Sequence, residues 1–188
     1  MILFIVTLII AIIIHEAGHL IITQLVGGKV ETFSIGFGKP LFSRKIQNIT
    51  YQICPFLLGG YCKLKGELSY SRSKYAFTNL PYSKKLAIAI AGCAVNIIIG
   101  GIGIVLGRWL LNWNLFYFGY LNLVLGITNL LPIPALDGSY PLLVLLENKY
   151  GKKKGYDLME KIVNIGFIII MILNVLCIPW IILNWKKL

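Results

Sequence analysis

From Met1 to Val26 the chain carries no lysine or arginine, and apart from Thr7, Thr23 and Gln24 its polar side chains there are His15, Glu16 and His19. A helix over this stretch rises about 39 Å at 1.5 Å per residue, more than the roughly 30 Å of a bilayer's hydrocarbon. No positive n-region precedes the run and no small-residue cleavage site ends it, so it reads as a retained span rather than a removed signal peptide. Gly27-Gly28 supplies its stop. A span with an ionisable cluster inside it commits the chain to folding in a membrane and demands an explanation for the cluster.

The rest of the chain follows the same pattern. Of its 188 residues 57% are hydrophobic and 13% charged, against roughly 45–50% and 25% in soluble domains. This excludes a disordered chain and a soluble nucleic-acid binder. Further apolar runs cover about 86–106, 115–146 and 165–183. The third is interrupted by Pro132, Pro134 and Pro141 around Asp137-Gly138, and the fourth ends at Trp185-Lys186-Lys187, an interfacial aromatic followed by charge. Irregular backbone at membrane depth is tolerated only where protein buries it or water reaches it. The expected fold is therefore an all-α polytopic membrane protein, a single domain over 1–188 with about four transmembrane helices, the third broken at Pro132/Pro134. A short membrane-associated β-structured loop is expected between the first two, because Phe33 to Phe42 and Ile49 to Leu64 combine aromatic, β-branched and glycine residues.

The formal charge of +11 reads as topology. Basic residues concentrate between the first two spans and again at Lys149, Lys152, Lys153, Lys154 and Lys161, while the other side has Arg108 and the terminal lysines. The positive-inside rule places both basic segments in the cytosol and both termini outside. Attraction to anionic lipid, not to nucleic acid, accounts for the remainder.

The two histidines of the chain lie four residues apart in His15-Glu16-Ala17-Gly18-His19, so their side chains share one helix face, and that spacing lets two imidazoles bind one zinc ion while Glu16 reaches a water on it. Ionisable groups inside a span cost a few kcal/mol each, of order ~3, unless paired or wet, which marks them as functional. A zinc hydrolase needs a third protein ligand. With no third histidine, that ligand has to be a carboxylate or a cysteine. Glu16 and Asp137 are the acidic residues within the apolar runs, which favours Asp137 by elimination. At 1.5 Å per residue the histidines sit about 10–16 Å before the cytosolic end of the first helix, and Asp137 lies in the cytosolic part of the third run. Cys54, Cys62, Cys93 and Cys177 show no close metal-type spacing and are expected as free thiols. Gly103 and Gly107 read as a packing pair between helices.

His-Glu-Ala-Gly-His in a first span, together with Asn129-Leu-Leu-Pro-Ile-Pro-Ala-Leu-Asp137-Gly138 in a late one, resembles the site-2 proteases, intramembrane zinc metalloproteases of the M50 type. Gly36-Phe-Gly with Pro55-Phe-Leu-Leu-Gly-Gly-Tyr is similar to the family's β-structured loop, and Ala91-Gly92 with Asn96 to its Ala-Gly-x-x-x-Asn helix. The resemblance implies one Zn2+ per chain held by His15, His19 and Asp137, with Glu16 as general base. It further implies that Asn129 positions the substrate backbone or the oxyanion, and that Asn96, Gly59 and Gly60 contact substrate. The implied partners are a transmembrane or signal-peptide-like protein substrate and the lipid bilayer. The implied location is a bacterial plasma membrane, with the active site toward the cytosol. Cys93 stands where proline is common, Ser139 where a second glycine often follows Asp-Gly, and an extra residue precedes Gly59-Gly60. The length leaves no place for a PDZ or CBS domain, so a minimal form is expected. The rival readings are a transporter or ion-conducting protein using Glu16 and Asp137 as intramembrane carboxylates, and an inactive homologue that only holds peptides.

Overall fold

The computed structural model describes residues 2–67 and 70–184, without the side chains of 2, 58, 171 and 174–184. The elements in chain order are α1 (Ile2–Leu25), β1 (Val30–Phe37), β2 (Phe42–Ile46), β3 (Ile49–Ile53), β4 (Phe56–Leu64), α2 (Tyr82–Trp109), α3 (Trp113–Asn129), α4 (Tyr140–Tyr150) and α5 (Lys152–Asn184), with single 3-10 turns at Phe77–Asn79 and Asp137–Ser139.

Helix α1 ends where the glycine pair predicts. Gly27 takes φ +82°, its N–H bonds the Gln24 carbonyl at 3.1 Å, and the Gly28 N–H bonds the Thr23 carbonyl at 2.8 Å. This is the Schellman arrangement, which a residue with a Cβ enters only with strain. The chain then turns into a four-stranded mixed sheet of order β2-β3-β1-β4, with β1 parallel to β3 and antiparallel to β4. Strand β2 is exposed along its whole length, whereas β1 buries Val30, Phe33, Ser34 and Gly36. One core joins Phe33 and Leu64 of the sheet to Ile88 of α2, Leu143 of α4 and Tyr156 of α5.

Helices α2 and α3 form a hairpin closed by glycines. A Cβ on Gly103 would lie 2.8 Å from the Gly119 Cα, and one on Gly100 2.6 Å from the Leu123 nitrogen. Only hydrogen at these positions lets the backbones come so near, the same device that packs helices in lipid. Asn112 caps α3 by accepting from the Leu115 N–H at 3.1 Å.

The expected all-α protein with about four spans is not what the chain forms. Among the described residues it combines five α-helices with the four-stranded sheet, and two helices there, Leu3–Leu25 and Tyr82–Trp109, are long and apolar enough to cross a membrane. Two physical causes separate expectation and structure. The third apolar run stops being helical after Asn129, because Pro132 and Pro134 deny the preceding residues helical geometry, so α3 has 17 residues where a full span needs about 20. The glycine- and aromatic-rich loop pairs its own strands into a sheet with a packed face, more than a short membrane-lying loop. The fourth run falls in the latter part of α5, largely beyond the described side chains, and Trp185, Lys186 and Lys187 lie outside the described residues.

Candidate metal centre

One turn apart on α1, His15 and His19 are 5% and 8% exposed, their ring centroids 5.0 Å apart. They are buried because α2 crosses α1 at glycines. A Cβ on Gly18 would lie 2.9 Å from the Ala91 carbonyl oxygen, and one on Gly92 would run into both imidazole Nε2 atoms. The crossing therefore places the backbone of α2 directly over the two ring nitrogens.

Asp137 is carried by the broken segment between α3 and α4. Its Oδ2 lies 2.9 Å from His15 Nε2 and 3.1 Å from His19 Nε2, and the two Nε2 atoms are 3.3 Å apart. The turn that carries it is shaped by its neighbours: Ala135 takes φ +74°, and Gly138 packs against the Leu130 and Leu131 carbonyls so closely that a Cβ would collide with them. Pro141 starts α4 at a position where a missing N–H costs nothing.

His19 Nδ1–H donates to the Ile88 carbonyl at 2.8 Å, which turns Nε2 toward the Asp137 carboxylate and His15 Nε2. Two imidazole nitrogens and a carboxylate oxygen converging in this way are a donor set that suits a divalent cation. Three ligand atoms on a tetrahedral ion at 2.0–2.1 Å are spaced by about 3.3 Å, and the observed edges are 2.9, 3.1 and 3.3 Å. The backbone-fixed Nδ1–H of His19 is the outer-shell contact that orients metal-bound histidines. The residues present thus fit a zinc ion.

Glu16 lies on the adjacent face of α1, its Cγ within 3.3 Å of where a Cβ on Gly60 would be. It opens on a cleft of about 900 Å³ bounded by Gly60 to Leu64 of β4, by Asp137 and by α5 as far as Phe167. Gly60 lines this cleft, and Gly59 packs under the Phe37 ring. Asn129 is half-buried at the end of α3 and Asn96 fully buried on α2; neither belongs to the cleft lining. Two residues at the site carried weaker signals in the sequence. Glu67 lines the same cleft but sits in a basic loop where nothing distinguished it from solvated charge. Cys93, fully buried, places its Sγ 3.3 Å from Asp137 Oδ2; the sequence showed it only as a departure from proline. Cys54, Cys62 and Cys93 are free thiols.

Paired imidazoles on one apolar helix, closed by a carboxylate from a proline-broken segment and flanked by a glutamate at a cleft, form a buried donor set able to hold one metal ion. Comparison with known proteins makes the class specific. The chain belongs to Peptidase family M50, whose description matches residues 3–113 and 109–173. It is 41% identical over 98 residues to a candidate zinc metalloprotease of Neisseria meningitidis, covering 50% of this chain and 22% of that protein. It is 40% identical over 97 residues to one of Borreliella burgdorferi, covering 46% and 22%. With the zinc metalloprotease Rip1 of Mycolicibacterium smegmatis it shares 32% identity over 120 residues, 56% of this chain and 30% of Rip1. The chain spans less than a third of the length of these relatives.

Proposed function

We propose that this protein is a zinc endopeptidase that hydrolyses peptide bonds in transmembrane or signal-peptide-like segments, within the membrane and near its cytosolic side. The observation that carries the reading is the triangle of His15 Nε2, His19 Nε2 and Asp137 Oδ2 beside Glu16 at the mouth of the cleft. His15, His19 and Asp137 would hold one zinc ion. When bound, zinc lowers the pKa of a water toward about 7 and polarises a carbonyl. Glu16 takes the proton of the attacking water on its carboxylate and returns it to the nitrogen of the leaving amine. Water reaches Glu16 through the cleft, and α1 and α2 shield the histidines from the lipid side. The basic segments orient this opening toward the cytosol, and the bilayer and a membrane-embedded peptide are the partners the surface supports.

The test uses the protein purified in detergent. Wild type should carry one zinc per chain and cut a spanning peptide inside its apolar stretch. Glu16→Gln should keep the metal and lose about 10²–10⁴-fold in cleavage rate, and Asp137→Ala should lose activity and bind the metal more weakly. Full cleavage by Glu16→Gln, or metal content unaffected by removing both histidines, overturns the proposal. Activity that tracks an ion gradient and survives chelation would favour a transporter instead.

A further inference from the structure

The geometry points to Cys93 as a fourth protein ligand of the same metal, closing the position that a hydrolytic water has to occupy. This inference rests on the zinc reading above and extends it to a residue that reading does not use. Cys93 is 0% exposed, and its Sγ is 3.3 Å from Asp137 Oδ2. The ligand atoms of His15, Cys93 and Asp137 all lie within 4.8 Å of one another. On a tetrahedral ion with a metal–sulfur bond of about 2.3 Å and a metal–oxygen bond near 2.0 Å, sulfur and oxygen are spaced by about 3.5 Å. The sulfur is therefore already at ligand distance from the oxygen shared by the two histidines.

Its placement follows from the helix crossing. Gly92 brings the α2 backbone over the two imidazole nitrogens, and Cys93, the next residue of α2, places its sulfur against the Asp137 carboxylate. A proline or an apolar side chain there would leave the metal three protein ligands and an open position; a thiol supplies a soft donor for which zinc has high affinity. Binding breaks the S–H bond as the sulfur–metal bond forms, with the proton released to water and no change of oxidation state. With Cys93 bound, the protein fills all four tetrahedral positions, as in structural zinc sites. Hydrolysis then requires the thiolate to leave or the metal to accept a fifth ligand, so Cys93 holds the centre in a resting state.

Zinc-edge X-ray absorption of the wild-type protein in detergent tests this without any substitution, and a sulfur scatterer at about 2.3 Å is the expected result. In cobalt-substituted protein, the near-ultraviolet sulfur-to-cobalt charge-transfer band should be lost in Cys93→Ser and Cys93→Ala and kept in Cys54→Ser and Cys62→Ser. Metal stoichiometry should stay at one per chain in both Cys93 variants, because three ligands remain. Zinc surrounded by nitrogen and oxygen alone overturns this inference and leaves the zinc reading standing. A charge-transfer band that survives loss of Cys93 also overturns it, and a protein that binds no zinc overturns both. If neither Cys93 variant folds, the wild-type absorption spectrum still decides.

Discussion

The smallest side chain at the centre does as much as its ligands. Gly92 lets α2 lie on the ring nitrogens of His15 and His19, and Gly92→Ala adds a Cβ that collides with both. One helix has to move, and the triangle opens. The expected result is loss of bound zinc with helical content retained, measured by metal analysis and circular dichroism on one preparation. A fully metallated Gly92→Ala protein would contradict the geometry. Glu67 gives a different prediction at the same scale. Burial pushes its carboxyl up from the ordinary 4.5 to about 7, although the Leu64 backbone N–H, which donates to it at 3.1 Å, pulls the other way. The folded protein thus holds this proton more tightly than the unfolded chain does. The associated stability is complete below about pH 4.5 and disappears as pH rises through about 7. The thermal midpoint of wild type in detergent should fall more between about pH 5 and about pH 8 than that of Glu67→Gln, and equal slopes would refute the assignment.

Among the elements, α2 is tied to α4 by an ion pair. Lys85 at the start of α2 lies 3.2 Å from Glu147 near the end of α4, with side chains 3% and 13% exposed, and its ammonium sits 5.3 Å from the Tyr156 ring centre. Removing one partner leaves a buried charge alone. Lys85→Ala should cost about 3–5 kcal/mol, whereas Lys85→Met combined with Glu147→Leu should recover most of it, because a buried pair contributes little net stability over an apolar one. Thermal or denaturant unfolding of the three proteins checks the order. The glycine hairpin of α2 and α3 was legible in part, since Gly103 and Gly107 marked a close-packed face. Its partners Gly119 and Gly126 carried no such mark, because a pairing between helices is not a property of either helix alone.

For the whole molecule, the arrangement separates exposed apolar stretches of the helices from a basic, sheet-bearing region. Exposed Leu3, Phe4, Ile98, Ile102 and Val105 belong to the helices, while Lys63, Lys65 and Lys153 lie with the sheet and the base of α5. Single cysteines replacing Lys153 and Arg108, in a background without native cysteines, should react with an impermeant maleimide from opposite sides of a sealed vesicle, Lys153 from the cytosolic side. Labelling of both from one side, or of Lys153 from the outer side, would overturn the proposed topology.

The spacing of His15, Glu16 and His19 on one face is a local property of the helix, so the sequence alone determined it; so did the stop at Gly27 and the break at Pro132 and Pro134, since each depends on φ and ψ within a few residues. Asp137 could be reached by elimination because charge is so scarce inside the apolar runs. Only the tertiary structure decided that the loop between α1 and α2 closes into a four-stranded sheet, since strand pairing is set by contacts distant in sequence. The same limit applies to Glu67 and Cys93. A side chain acquires its place at a metal centre from the helices and loops that converge there, and nothing in its own neighbours along the chain records that convergence.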